Sequence, residues 1–226
     1  MRPTSIDNFK YMPQRWHNVG FAKMPSRIVS SVSPQTYRII RAILLSKKPF
    51  LQTEIARTTG ASSSQVSRVV RWLLDRYHLE RLPDARYRRR NAVGVITSAI
   101  SYQRSMNDAL VGTIRIRAKK KDAKRVLVRE GGVLCLESAL EEYSDYFRGD
   151  RVCVYHDEPD ELLEKLAPLE GGILPVSVYF PDIPLEGDIE RKMRTTRFRT
   201  VVDLACNNQF YTAKDLLEEL WGVIIE

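Results

Sequence analysis

Val66, Val69, Val70, Leu73 and Leu74 recur at i, i+3, i+4, i+7 and i+8, the spacing that gathers apolar side chains into one stripe of an α-helix. That stripe must be buried, so a helix from within Ser62-Ser63-Ser64 to about Tyr77 has to lie against other elements. Its opposite face carries Ser64, Ser67, Arg68 and Arg71. The partners for the stripe are close in sequence. Ser33-Pro34 opens a helix with a hydroxyl at the N-cap and a proline at the first helical position. Ile39, Ile40, Ile43 and Leu44 then share a face, and Lys47-Lys48-Pro49 closes the helix with cations suited to its C-terminal end. A second helix opens at Thr53, with Glu54 in its first turn, and ends at Gly60. Ile55 and Ala56 pack it on the third helix, and Gly60 permits the tight turn between them.

A ribbon follows. Leu79–Leu82 alternates like a strand, Pro83-Asp84-Ala85-Arg86 breaks it, and Ala92–Thr97 reads as the return strand. Three tandem helices and a two-stranded ribbon describe a winged helix over residues 34–97. Small hydroxyls at Ser62, Ser63 and Ser64 let the start of the third helix approach phosphates closely, where backbone N–H groups also help. Gln65, Ser67, Arg68 and Arg71 would project into a major groove, Gln suiting adenine and Arg guanine. Arg86, Arg88, Arg89 and Arg90 surround Tyr87 at the expected wing, placed for the minor groove or flanking phosphates. A ribbon cannot bury four guanidinium groups without partners, so all four are expected to be exposed. The stretch TEIARTTGASSSQVSRVVRWLL (53–74) resembles the helix-turn-helix of MarR-like and ArsR-like repressors, whose common form reads TGxSxSxVSRxVxxL.

The charge distribution supports a polyanionic partner. Residues 1–129 hold 27 Lys+Arg against 7 Asp+Glu, a net +20, whereas residues 130–226 hold 9 against 21, a net −12. The two sum to the chain's +8. Such asymmetry suggests a basic part facing a polyanion and an acidic part facing something else, the alternative being two solvated domains whose charges attract each other. The Pro-punctuated, aromatic-containing residues 1–33 read as an arm.

Beyond the expected winged helix, residues 98–129 read as a basic linker: an amphipathic helix over 97–111 using Ile100, Met106, Ala109 and Leu110, then a hairpin. Its strands are Thr113–Ala118 and Lys124–Arg129, joined by the turn Lys119-Lys120-Lys121-Asp122. Residues 130–226 alternate between helix and strand: Leu134–Phe147 helix, Val152–Tyr155 strand, Asp160–Leu166 helix, Ile173–Phe180 strand, then helices near Arg197–Cys206 and Thr212–Trp221. The fold class expected is α+β in two domains. Gly131-Gly132 and Gly171-Gly172 read as turns.

Several chemistries find little footing. His17, His78 and His156 lack Cys or His neighbours at ligand spacing, and no GxxxxGK[ST], GxGxxG, GxSxG or HExxH occurs. Two acidic clusters, Asp157/Glu158/Asp160/Glu161 and Asp182/Glu186/Asp188/Glu190, could hold Mg²⁺ for nuclease work. They equally suit loops and first turns of helices. Cys135, Cys153 and Cys206, an odd number without CxxC spacing, read as small core residues of a reducing compartment. No apolar run reaches the length of a membrane span, and the start has no apolar h-region.

Two acidic-half segments, GGVLCLESALEEYSDYF (131–147) and MRTTRFRTVVDLAC (193–206), resemble helices of abortive-infection (type IV) antitoxins. Val152–Tyr155 and VSVYFPD (176–182) are similar to that family's strands. The resemblance implies a winged helix ahead of a small α+β domain, autorepression, and a toxin partner held through residues 130–226. Arg199 and Asp203, at i and i+4, would in any case pair on a helix. The expectation is a cytoplasmic, nucleoid-associated prokaryotic regulator binding double-stranded DNA as a homodimer, without cofactor or catalysis. The alternatives are a replication or chromatin protein with little sequence preference, and a metal-dependent nuclease or nucleotidyl-transfer enzyme.

Overall fold

The computed structural model describes residues 33–101 and 104–224, so all of the expected N-terminal arm but Ser33 lies outside the described residues. The Ser33 hydroxyl accepts the Thr36 N–H at 3.2 Å, and Pro34 begins α1 (Pro34–Leu45). In α2 (Gln52–Thr59), the Glu54 carboxylate accepts the Leu51 N–H at 2.7 Å at one end. At the other, Gly60 has a φ of +65°, the left-handed cap that glycine adopts without a Cβ penalty. Helix α3 (Ser63–Asp75) buries Val66, Val70 and Leu73 fully, with Val69 and Leu74 packed against the same core.

The ribbon that follows pairs β1 (Leu79–Arg81) with β2 (Tyr87–Arg89) antiparallel, Glu80 opposite Arg88. The return strand is therefore Tyr87–Arg89, and the expectation of Ala92–Thr97 is corrected. Those residues form α4 (Ala92–Ile96), because the Asn91 side chain accepts the Gly94 N–H at 2.7 Å and nucleates a helical turn. A π-helical turn, Thr97–Ser101, continues it. The helix expected over 97–111 is thus broken, its later part being only α5 (Met106–Ala109). Ile100, Met106 and Ala109 are buried as expected, but Leu110 is exposed and starts β3 (Leu110–Ile116).

The expected hairpin is also corrected. Lys124–Arg129 belongs to α6 (Lys120–Arg129), and the expected turn at Lys119–Asp122 is that helix's first turn. Ala123, Val126 and Leu127 form an i, i+3, i+4 stripe, and tertiary burial of that stripe overrides the strand-like alternation of Val126 and Val128. After β4 (Val133–Leu134) comes α7 (Leu136–Leu140), much shorter than the helix expected over Leu134–Phe147. The order continues with β5 (Val152–Tyr155), α8 (Pro159–Leu166), β6 (Leu174–Tyr179), β7 (Ile189–Glu190), β8 (Arg194–Thr195), α9 (Arg197–Cys206) and α10 (Lys214–Trp221).

The fold class is mixed α+β. Strands β3 to β8 make one mixed sheet of order β3-β6-β5-β4-β8-β7, in which β5 and β6 run parallel, joined through α8. Side chains alternate across it, as strand geometry requires. Val152, Val154, Val176 and Val178 face α6 and α8, while Cys153, Tyr155 and Tyr179 face the layer containing α7 and α9. Edge strand β3 crowds the Gly171-Gly172 turn, where a Cβ on Gly172 would fall 1.9 Å from the Ile116 carbonyl oxygen.

Helices α1 to α4 share one continuous core with α7, α9 and α10. Segment 98–129, expected as a linker, supplies the edge strand and a covering helix of the sheet. Polar bonds reinforce the junction. The Tyr37 hydroxyl donates to Asp188 at 2.7 Å, Arg41 Nε donates to the same carboxylate at 2.7 Å, and Trp221 Nε1 donates to the Leu44 carbonyl at 2.9 Å.

Beneath it lie two buried arginines. Arg104 Nη1 and Arg199 Nε each donate to Asp203 Oδ1 at 2.8 Å, and both guanidinium groups donate to the Tyr155 hydroxyl, at 2.9 and 3.1 Å. Arg104 also holds Asp182 in a two-point pair at 2.8 Å. Asp203 Oδ2 is buried and without a hydrogen-bond partner among the described residues. The i, i+4 pairing of Arg199 with Asp203 is present, and it sits at the centre of the molecule instead of on a helix surface.

Candidate nucleic-acid interface

Helix α3 turns its apolar stripe inward, which leaves the opposite face to solvent. The Ser62 hydroxyl accepts the Gln65 N–H at 3.3 Å, while Gln65 Oε1 accepts the Ser62 N–H at 3.0 Å and its hydroxyl at 3.1 Å. This reciprocal capping box satisfies two otherwise orphaned donors. It also folds the Gln65 side chain back onto the helix terminus, away from the outward pose expected of it. Ser64 lies 3.0 Å from the Ser62 hydroxyl.

Ser63, Ser64, Arg68 and Arg71 are exposed, and Ser67 is half-buried. Neither Arg68 nor Arg71 has a hydrogen-bonded or ion-paired partner among the described residues. Arg76, one turn further, is engaged differently, its guanidinium stacked 4.0 Å from the Trp72 ring centroid. At the foot of the helix, burial and the Arg76 charge together depress the His78 pKa.

The ribbon divides its arginines by pleat and by neighbour. Tyr87 points inward, its ring 6.1 Å from Phe50 and its hydroxyl accepting from Gln52 Nε2 at 3.0 Å. Arg88 points outward and is bonded to Glu80 on the paired strand. Arg89 follows Tyr87 inward, half-buried, and donates to the Leu44 carbonyl and, at 3.3 Å, to that of Ser46. Burial lowers its pKa, yet Arg89 has no carboxylate partner among the described residues. It acts as a C-terminal cap on α1, where a cation meets the negative end of the helix. Arg86 is half-buried and donates to the Pro49 carbonyl at 3.1 Å, while Arg90 is exposed with Glu80 at 3.9 Å.

The expectation of four exposed guanidinium groups is therefore corrected. Arg88 and Arg90 face solvent, Arg86 is partly tied to the protein, and Arg89 is structural. The strand residue Arg81 is also exposed on this ribbon and lies outside the expected contacts. Its place beside Leu82 in an alternating run is the only sequence signal for it.

The carboxylates of the second acidic cluster are engaged with neighbouring side chains. Asp182 holds Arg104, Glu186 holds Arg38 at 3.0 Å, Asp188 holds Arg41 and Tyr37, and Glu190 holds Arg194 at 2.9 Å. Burial opposes the Asp182 charge, but its bonds to Arg104 and the nearby Arg199 outweigh this and keep its carboxyl below the usual range. Asp160 and Glu161 occupy the first turn of α8. Among the described residues, no three His, Cys, Asp or Glu side chains are grouped to hold a metal ion. Among the same residues, no helix is long and apolar enough to cross a membrane. The three cysteines are buried and unpaired, and burial raises their thiol pKa values. Comparison with protein-family models, with curated proteins and with solved structures finds no match to this chain.

Proposed function

We propose that the chain is a winged-helix protein that binds double-stranded DNA in a sequence-dependent manner and regulates transcription. In this reading α3 enters the major groove and the ribbon β1–β2 lies on the adjacent backbone. The observation that carries it is the outer face of α3, where Arg68 and Arg71, without ion-pair partners among the described residues, stand with Ser63 and Ser64 on a helix whose other face packs into the core. Unpaired guanidinium groups on a rigid helix suit bidentate recognition of guanine edges or phosphates. Arg88 and Arg90 add cations on the ribbon.

An autorepressor of antitoxin type, bound as a homodimer to a palindrome, extends the proposal. The resembling segments 131–147 and 193–206 supply α7 and α9, which pack against each other next to β5. A DNA-binding protein of low sequence preference is the competing reading, and the commitment of Gln65 to the helix cap is the observation in its favour. With Gln65 withdrawn, base reading falls to the two arginines.

Selection of bound duplexes from a random pool tests the choice, since enrichment of a common sequence is the expected outcome. On that sequence, Arg68→Ala should cost about 1–3 kcal/mol of binding, with a smaller loss on random DNA. Equal losses on both would make Arg68 a phosphate contact, and no enrichment would overturn sequence-specific regulation.

A further inference from the structure

Helix α6 carries cations of two kinds. Lys120 and Lys124 turn toward α7 and the segment after it, Lys124 meeting Glu141 at 2.7 Å and Glu142 at 3.0 Å, and Lys120 also bonding to Glu141. This pairing outweighs the burial that would raise the Glu141 pKa and keeps its carboxyl low. Lys121, Arg125 and Arg129 point the other way and are exposed. Their spacing is i, i+4, i+8, a single line along the helix about 12 Å long. Among the described residues, only Arg125 of the three has an ion-pair partner, Asp122 at 3.7 Å, itself on α6.

Such a line is unfavourable for the free protein. Lys121 with Arg125, and Arg125 with Arg129, are like-charge i, i+4 pairs, which destabilise a helix. Lys121 stands in the first turn, where the helix dipole also disfavours a cation. Asp122 in the first turn and the place of Arg129 in the last turn relieve part of these costs, and no other ion pair among the described residues reaches the line. A line about 12 Å long spans three or four phosphates of one DNA strand, at about 3.4 Å each along the axis.

Helix α6 also lies apart from α3. Helix α6 packs on the sheet face lined by Leu134, Val152 and Val154, whereas α1 to α3 join the core on the opposite face. A duplex lying on α3 is therefore on the other side of the sheet from Lys121, Arg125 and Arg129.

We propose that the outer face of α6 is a second DNA-binding surface, gripping the phosphate backbone of a second duplex segment without sequence preference, so that one chain can join two segments. The proposal rests on the α3 reading only for the first segment. The test uses the full chain carrying Lys121→Gln, Arg125→Gln and Arg129→Gln together. A duplex containing the selected sequence is fixed to beads, and capture of a second, labelled duplex is read for the parent chain and for the variant.

The α6 variant should retain the bead-bound duplex and its footprint, lose most of the capture, and flatten the dependence of log affinity on log salt for random DNA by up to about three. Capture and salt slope equal to the parent's would overturn the proposal, as would a parent chain that captures no second duplex. Capture through dimerisation alone would persist in the variant, and that result too would overturn the proposal. Binding of phosphatidylserine vesicles through these three cations, without any effect on duplex capture, would also overturn it. Failure of the α3 reading would show separately, as the absence of any selected sequence while the α6-dependent salt slope persisted.

Discussion

Arg88 and Arg89 are neighbours in sequence and opposites in environment. Arg88, itself exposed, meets the half-buried Glu80 of the paired strand, and pairs at the surface contribute little to stability. Arg89 is half-buried against carbonyls that end α1, and one of them, Leu44, is shared with the Trp221 indole. Arg89→Ala would leave these carbonyls short of a donor and should cost about 1–2 kcal/mol in urea unfolding. The salt slope for DNA binding should not move. Arg88→Ala should leave stability within about 0.5 kcal/mol and, if its guanidinium lies on a phosphate, lower the slope by about 0.9. The reverse pattern would exchange their roles. Nothing in Arg-Tyr-Arg-Arg-Arg says which guanidinium turns inward. That depends on where β2 begins, and the pairing of Leu79 with Arg89 fixes it through contacts distant in sequence.

At the scale of elements, what is legible in the sequence is what local chemistry decides. Ser33-Pro34, Gly60 and the apolar stripe of α3 define three helices, and α9 runs over Arg197–Cys206, where a helix is expected. Two of the failures, α4 and α6, share a cause. Both are short runs rich in valine and isoleucine or in alternating valine, where strand propensity and helix periodicity conflict and tertiary contacts arbitrate. In α4 the arbiter is the Asn91 cap, and in α6 it is the burial of Ala123, Val126 and Leu127 on the sheet. The cap of α3 makes a further prediction, because Ser62 and Gln65 satisfy each other's backbone. Ser62→Ala and Gln65→Ala should each lower stability by about 1 kcal/mol. Gln65→Ala should leave the base preference of bound DNA unaltered in a selection experiment. A lost preference for adenine at one position would show that Gln65 leaves its cap to read a base.

The largest gap between sequence and structure lies at the scale of the molecule. The change of charge near residue 129 marks a division that the core ignores: α1 packs with α9 and α10, and the acidic segment 182–190 is threaded with arginines from α1 and the 104 region. Complementary charge in the two halves is thus partly neutralised within the molecule. Separation at 129/130 would strip β3 and α6 from the sheet and expose the shared core, so DNA binding is best tested on the full chain. The same threading sets the response to acid. Asp182 is held below the usual carboxylate range by Arg104 and Arg199 against the opposing effect of burial. Its unfolded counterpart titrates at about 3.9, so between the two values the unfolded chain binds more protons than the folded one. The stabilisation is therefore complete above the unfolded value and is lost as pH falls through the lower folded value. Unfolding free energy measured at a series of acidic pH values should decline over that window. In Asp182→Asn the decline should be shallower, from a lower starting stability, because Arg104 loses its two-point partner while keeping Asp203. An unchanged acid slope in the variant would mean that Asp182 titrates alike in both states, and that the junction between α1 and the sheet draws its pH response from elsewhere.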